Sequence, residues 1–154
     1  MEIRFANPSD IPRMIDLLRQ VGAVHHDIRP DLFRAGAQKY DEAALQALLR
    51  DPSRPIFAAV VDGSMMGYCF CIRQETKGDP VLRDRKVLYI DDLCVEERRR
   101  GQGIAAALYG AVRDYARKEG YDALTLNVWA GNSAEVFYKK MGMQVQKTGM
   151  EFIL

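Results

Sequence analysis

Apolar residues recur along this chain in two periods, and each switch of period marks a change of element. Glu2 to Ala6 has the form of a short strand, and Asn7-Pro8-Ser9-Asp10 after it is a helix-start cluster with Ser9 or Asp10 as cap. Ile11, Met14, Ile15, Leu18 and Val21 then repeat at helical spacing, with Pro12 tolerated in the first turn. His25 to Phe33, broken by Pro30, predicts a connecting segment. Asp41 caps a short helix with Leu45, Leu48 and Leu49 as its apolar positions, stopped at Asp51-Pro52. Ile56 to Val61 and Met65 to Ile72 are nearly continuous apolar runs joined across Asp62-Gly63, which predicts a hairpin in a sheet covered on both faces. Gln74 to Lys86 is a polar loop.

Val87 to Val95 is the next strand, and its period of two sets Val87, Tyr89, Asp91, Leu93 and Val95 on one face with Asp92 on the other. From Ile104 a longer helix carries Ala105, Leu108, Val112, Tyr115 and Ala116 inward until Gly120 ends it. Ala123 to Trp129 predicts a strand. Ala134, Phe137, Tyr138 and Met141 predict a short helix capped by Asn132 or Ser133 and closed by Gly142, and Gln144 to Leu154 supplies the last strands.

Strands interleaved with helices give an α/β fold, and 154 residues make a single domain spanning 1–154. Composition changes little: 48% hydrophobic and 28% charged residues are ordinary for a globular chain. Charge changes more. With 22 basic and 21 acidic residues the net charge is +1, which argues against nucleic acid or an anionic membrane as partner. No apolar run nears the roughly 20 residues of a membrane span, and MEIRFANPSD lacks a signal region, so the expected location is cytoplasmic. Cys69, Cys71 and Cys94 lie in apolar runs and read as buried reduced thiols. Cys-x-Cys without a nearby histidine is poor zinc spacing, and no metal site is expected.

The candidate chemistry lies between Val87 and Glu119. Gly101 and Gly103 free the backbone to approach an anion, the helix from Ile104 begins with unpaired amides, and Arg98, Arg99 and Arg100 add positive charge. The nucleotide-hydrolysis loop needs Gly-Lys-Ser/Thr where this chain has Gly103-Ile104-Ala105. A dinucleotide loop needs a third glycine where it has Ala106. A pyrophosphate held without metal fits better. Taken alone, Gly-x-Gly also reads as a simple strand-to-helix turn with solvated arginines. Upstream, Asp91 and Asp92 sit mid-strand, where a carboxylate is costly to bury unless it is paired or working.

Arg98-Arg99-Arg100-Gly101-Gln102-Gly103 resembles the Arg/Gln-x-x-Gly-x-Gly/Ala signature of the Gcn5-related N-acetyltransferases. Ile90 to Val95, Asn132, Phe137-Tyr138 and Gly142 extend the likeness over nearly the whole chain. The resemblance implies a central, largely antiparallel mixed sheet of six to seven strands with helices on both faces. It also implies a bulge in the Val87 to Val95 strand that opens a slot for the pantetheine arm of acetyl-coenzyme A. That co-substrate would be held by Leu93, Cys94, Val95, Arg98 to Gly103, Ile104, Ala105, Asn132 and Tyr138. Tyr138 matches the family's acid for the leaving thiolate. Asp91 aligns with the acidic residue some members use as base, either as base or as ammonium binder, with Asp92 beside it. His25, His26 and Arg29, in the segment that lines the acceptor side in the family, are candidates for substrate binding. An equal reading makes that segment a plain connection with Phe33 plugged into the core. One departure is plain: the family's Asn would fall at Gly131, so either the loop shifts to bring Asn132 into place or that contact is absent. The expected activity is acetyl transfer to a primary amine, a small cation before a peptide, in a ternary complex. The rival is a silent acyl-coenzyme A sensor. A homodimer is common in the family.

Overall fold

The computed structural model describes all 154 residues, Met1–Leu154. β1 (Glu2–Phe5), β2 (Ile56–Val61), β3 (Ser64–Thr76), β4 (Arg85–Val95) and β5 (Ala123–Thr125) form one sheet in that order. The first four run antiparallel to their neighbours, and β5 runs parallel to β4. α1 (Ile11–Ile28) and α2 (Glu42–Leu48) cover one face, α3 (Ile104–Lys118) and α4 (Ala134–Lys140) the other. The α/β class holds, with five strands in place of six to seven. Gln144 to Leu154, read as the last strands, is irregular and exposed throughout, because no strand of its own chain pairs with it.

The sheet has a core on each side. Ile56, Ala58 and Val60 of β2 point at Met14, Leu17, Leu18 and Leu45, whereas Phe57 and Ala59 point at Leu108 and Val112. A strand buried on both faces has no polar alternation, hence the continuous apolar runs. Asp62 and Gly63 turn the hairpin with φ of 50° and 76°, the pair of left-handed residues that a two-residue turn of the primed type requires. β3 and β4 extend beyond their apolar runs, to Thr76 and back to Arg85, so the polar loop is shorter than Gln74 to Lys86.

Two differences at α1 matter for the site. Asn7 caps the 3₁₀ turn Pro8–Asp10 ahead of α1: its Oδ1 accepts from the Ser9 N–H at 2.9 Å while Asp10 accepts from the Asn7 N–H at 2.8 Å. Asp10, one of the two expected caps, stands at the N-cap position of α1 without a side-chain cap bond to the helix, and its carboxylate is buried and held by both Nη atoms of Arg4. At the other end α1 runs past Gly22 to Ile28, and stops because Pro30 forces Arg29 out of the helical region. Gly22 is there for contact. A Cβ on it would stand 2.7 Å from the Ala37 carbonyl oxygen, so only glycine lets the α1–α2 connection lie against the helix.

Candidate active site

β3 and β4 pair in register from Thr76↔Arg85 to Cys71↔Ile90, then resume at Phe70↔Asp92. Asp91 is the extra residue of a β-bulge. The bulge reverses the alternation of β4. Before it, Leu88 and Ile90 face α3; after it, Cys94 and Asp92 face the α1 side, with Asp92 bonded to Tyr68. The opposite-face assignment of the two carboxylates is thereby corrected, since both now reach partners on the α1–α2 side. The bulge also ends the pairing of β4 with β5, which covers only Val87↔Ala123, Leu88↔Leu124 and Tyr89↔Thr125. From Ile90 to Val95 the β5-facing edge of β4 is unpaired. The resemblance implies a slot at this place, and the early end of the pairing leaves β5 shorter than the predicted Ala123 to Trp129.

Asp91 accepts from the Lys39 ammonium at 2.7 Å, a contact delivered by the connection that Gly22 admits. Burial works against the Lys39 charge, but the bond to Asp91 outweighs it and raises its pKa. Asp92 accepts from the Tyr68 hydroxyl at 2.9 Å. Loss of solvent pushes the Asp92 carboxyl up to about 6, and the Asp91 charge adds to this, whereas Tyr68 and Lys39 pull it down. Two adjacent carboxylates therefore differ: one is neutralised by an ammonium, the other is set to exchange a proton near neutral pH.

His25 and His26 lie in the last turns of α1, not in an irregular segment. His25 stacks on Phe33 with ring centroids 5.0 Å apart, and His26 Nδ1 lies 2.7 Å from the Phe33 carbonyl oxygen. Phe33 meets Trp129 edge-on at 5.6 Å, and the Arg29 guanidinium lies 5.5 Å from the same indole. Burial first, then the Lys39 charge, lowers the pKa of His25. The histidines, Arg29 and Trp129 thus form one wall beyond the end of β5.

At the other end of the slot, Glu96 leaves β4 and accepts from Arg13 at 2.7 Å and from Gln20 at 3.1 Å, which fastens the following turn to α1. Arg98 and Arg99 lie in that 3₁₀ turn, and Arg100 Nε reaches back to the Val95 carbonyl oxygen at 3.3 Å. Gly101 and Gly103 have φ of 76° and 82°, with open space where a Cβ would stand. No side chain caps the start of α3, so its first amides, with those of Gln102, Ile104 and Ala105, are available to an anion. Tyr138 projects from α4 into the α3-side core beside Tyr109 and Phe137. Burial chiefly, with the charges of Cys69 and Asp92 adding, pushes its phenol up, so it keeps its proton at neutral pH.

The family model described as the acetyltransferase (GNAT) family matches residues 22–143, which holds the bulge, the glycine loop and Tyr138. The chain belongs to that family. Among curated relatives, human N-acetyltransferase 8B is 39% identical over 75 residues, and mouse N-acetyltransferase 8 is 41% identical over 76. Each match spans about half of this chain, 48% and 49%, and 32% of the relative. A tetramutant of a Bacillus halodurans protein superposes over 100% of both chains at 32% identity and a TM-score of 0.95. An aminoglycoside acetyltransferase from an uncultured soil metagenomic sample, solved with sisomicin, shares the fold: TM-score 0.73, 19% identity, 99% of this chain and 95% of that one.

Within this GNAT chain the Asn132 question has a structural answer. Gly131 takes φ of 85° and Asn132 Oδ1 accepts from the Ala134 N–H at 2.9 Å, so the side chain starts α4. Cys94 is buried, its thiol is pushed up to about 12 chiefly by burial, and it donates to the Leu17 carbonyl oxygen at 3.5 Å. A thiol held protonated is a poor nucleophile. No group of three or more His, Cys, Asp or Glu is placed to hold a metal, and no helix is long and apolar enough to cross a membrane. Lys39, Tyr68, Gly22 and the Arg13–Gln20–Glu96 cluster escaped the sequence reading. Gly22 carried the one available signal, a glycine where the apolar helical spacing continues to Val24 and Ile28.

Proposed function

We propose that this GNAT protein, acting as a single domain, transfers acetyl from acetyl-coenzyme A to a primary amine by direct attack in a ternary complex. The observation that supports the reading is the bulge at Asp91: beyond it the β5-facing edge of β4 is unpaired, and both carboxylates have partners on the α1–α2 side. Acetyl-coenzyme A enters as a substrate. Its pyrophosphate would meet Arg98 to Gly103 and the amides of Ile104 and Ala105, and its pantetheine would lie along Leu93 to Val95. Asn132 contributes less, because its carbonyl oxygen is committed to α4.

A lysine-like amine has a pKa near 10.4, so freeing its lone pair at pH 7 costs roughly 4 to 5 kcal/mol. Asp92 suits the base role, being ionised above about 6 and still basic enough to take the proton. The nitrogen attacks the thioester carbonyl, the C–S bond breaks, and the leaving thiolate takes a proton from Tyr138. Asp91 is then the ammonium binder, where a cationic acceptor displaces Lys39. The wall of His25, His26, Arg29 and Trp129 would bound that acceptor, which we read as a small cationic amine rather than a peptide chain. That an aminoglycoside acetyltransferase shares the fold accords with a small polyamine-like acceptor. Free, buried thiols at Cys69, Cys71 and Cys94 suit a reducing cytoplasm.

One observation favours the silent sensor: Lys39 already fills Asp91. A thiol-release assay with acetyl-coenzyme A against polyamines, aminoglycosides, amino acids and peptides separates the two. Free coenzyme A in step with an N-acetylated polyamine or aminoglycoside supports the transferase. Tight binding of acetyl-coenzyme A without release on any amine supports the sensor.

A further inference from the structure

We propose that Lys39 is an internal acceptor: without a free amine the protein acetylates its own Lys39, and the amide formed releases Asp91 to a cationic substrate. On the acetyl-transfer reading, on which this rests, Asp91 binds the ammonium ion of the acceptor. The ammonium that it holds in this structure is the chain's own, with Lys39 Nζ at 2.7 Å. Lys39 therefore stands where an acceptor nitrogen would stand. Its charge also acts on Asp92 and on His25, so the nitrogen lies at the centre that contains the proposed base. Asp91 is on the open edge of β4, just past the Tyr89↔Thr125 pair that ends the pairing with β5. A pantetheine arm along Leu93 to Val95 would bring its thioester to that place.

The backbone on both sides of Lys39 is held. Gln38 is tied to Arg19 at 3.1 Å and to the Tyr40 carbonyl oxygen at 2.8 Å, Tyr40 stacks on Phe70 at 5.8 Å, and Ala37 rests on Gly22. The half-exposed Lys39 stem is left to turn. Residue type separates this contact from a brace. Three ion pairs join residues 52 or more positions apart: Arg13–Glu96, Arg29–Glu151 and Lys39–Asp91. The first two use arginine, which stays charged, whereas a lysine nitrogen can lose its proton and be acylated. In the reaction Asp92 takes a proton from the Lys39 ammonium, Nζ attacks the thioester carbonyl carbon, the C–S bond breaks and an amide C–N bond remains. The nitrogen gives up two protons: one passes through Asp92 to solvent, and the other balances the proton that Tyr138 hands to the leaving thiolate. Nothing is oxidised or reduced. The neutral amide leaves Asp91 without an internal cation.

Acetyl-coenzyme A added to the full chain without any amine, followed by peptide mass spectrometry, tests this. One acetyl group should appear on the Lys39 peptide, with an equal amount of free coenzyme A and a rate constant independent of protein concentration. Lys77, whose side chain is 76% exposed, reports uncatalysed acetylation in the same sample and should react about 100-fold more slowly. Asp92→Asn should slow the Lys39 reaction by about 10² to 10⁴. The acetylated chain should show a polyamine KM about 2- to 5-fold below that of Lys39→Arg, which keeps a cation beside Asp91. An equal KM overturns the release of Asp91. A bare Lys39 in a sample that acetylates a polyamine overturns the proposal and leaves the acetyl-transfer reading standing. Lys39 modified no faster than Lys77, or with a rate constant that rises with protein concentration, overturns it too. No acetyl on Lys39 and no coenzyme A released with any amine overturns the acetyl-transfer reading itself, and the proposal with it.

Discussion

The two ends of the β4–β5 slot are built from different materials. At the loop end the groups that would meet a ligand are mainly main-chain amides, set by two left-handed glycines and the uncapped start of α3, with Arg98 and Arg99 in the adjoining turn. At the proposed acceptor end they are side chains: Asp91 and Asp92 from the bulge, Lys39 from the α1–α2 connection, Tyr68 from β3 and Trp129 from beyond β5. Backbone sites ask for a phosphate shape and little else. Side-chain sites set protonation and selectivity, and are free to change while the backbone site stays. A substitution at one end should therefore leave the other end's measurable intact, and that separation can be attacked.

The largest effect is expected from Asp92→Asn. Loss of a positioned base should lower kcat/KM by about 10² to 10⁴ with acetyl-coenzyme A affinity nearly unchanged. The same variant should be more stable at pH 7. A carboxyl raised to about 6 in the fold stays protonated while its unfolded counterpart ionises, so folding stability falls as pH rises from near 4 through 6. Removing that charge should recover about 2 to 3 kcal/mol at pH 7 and nothing below pH 4, read from urea midpoints at the two pH values. Next comes Gly101→Val/Gly103→Val. A β-branched residue at positive φ is strained, so acetyl-coenzyme A should bind about 10- to 100-fold more weakly by calorimetry, with kcat at saturation kept within a few-fold. If kcat collapses instead, the two ends are coupled.

Under the proposed mechanism Tyr138→Phe removes the proton for the leaving thiolate, while packing against Tyr109 and Phe137 stays in place. Its kcat should drop about 10- to 100-fold with cofactor affinity unchanged, and an unchanged kcat removes it as the acid. Lys39→Met is the mildest. Lys39 pulls the Asp92 pKa down, so its loss should move the acid limb of the pH–rate profile upward by a few tenths of a unit to about one unit. A polyamine KM should fall, because Asp91 no longer holds an internal ammonium.

The difference between the ends also governed what the sequence disclosed. Gly101-Gln102-Gly103 before an amphipathic helix was readable as a turn because local backbone geometry is written in local residues, and the structure sets both glycines left-handed. The β2–β3 hairpin was readable for the same reason. Asp91 and Asp92 were visible as costly residues, but their shared direction was not, because a bulge depends on the partner strand's register. Lys39 lies 52 residues from Asp91 and reaches it only because Gly22 admits Ala37. No local pattern encodes that meeting. The Gln144 to Leu154 segment was expected to supply the last strands, but a strand needs a partner edge, and a local run of residues does not specify one.

The pH dependence of kcat/KM for wild type and Asp92→Asn, with one amine acceptor and the amine's own ionisation divided out, tests the central claim most directly. Wild type should lose activity as pH falls through about 6, and the variant's residual rate should lack that limb. A limb near 6 that survives in Asp92→Asn would assign the base elsewhere and contradict the account.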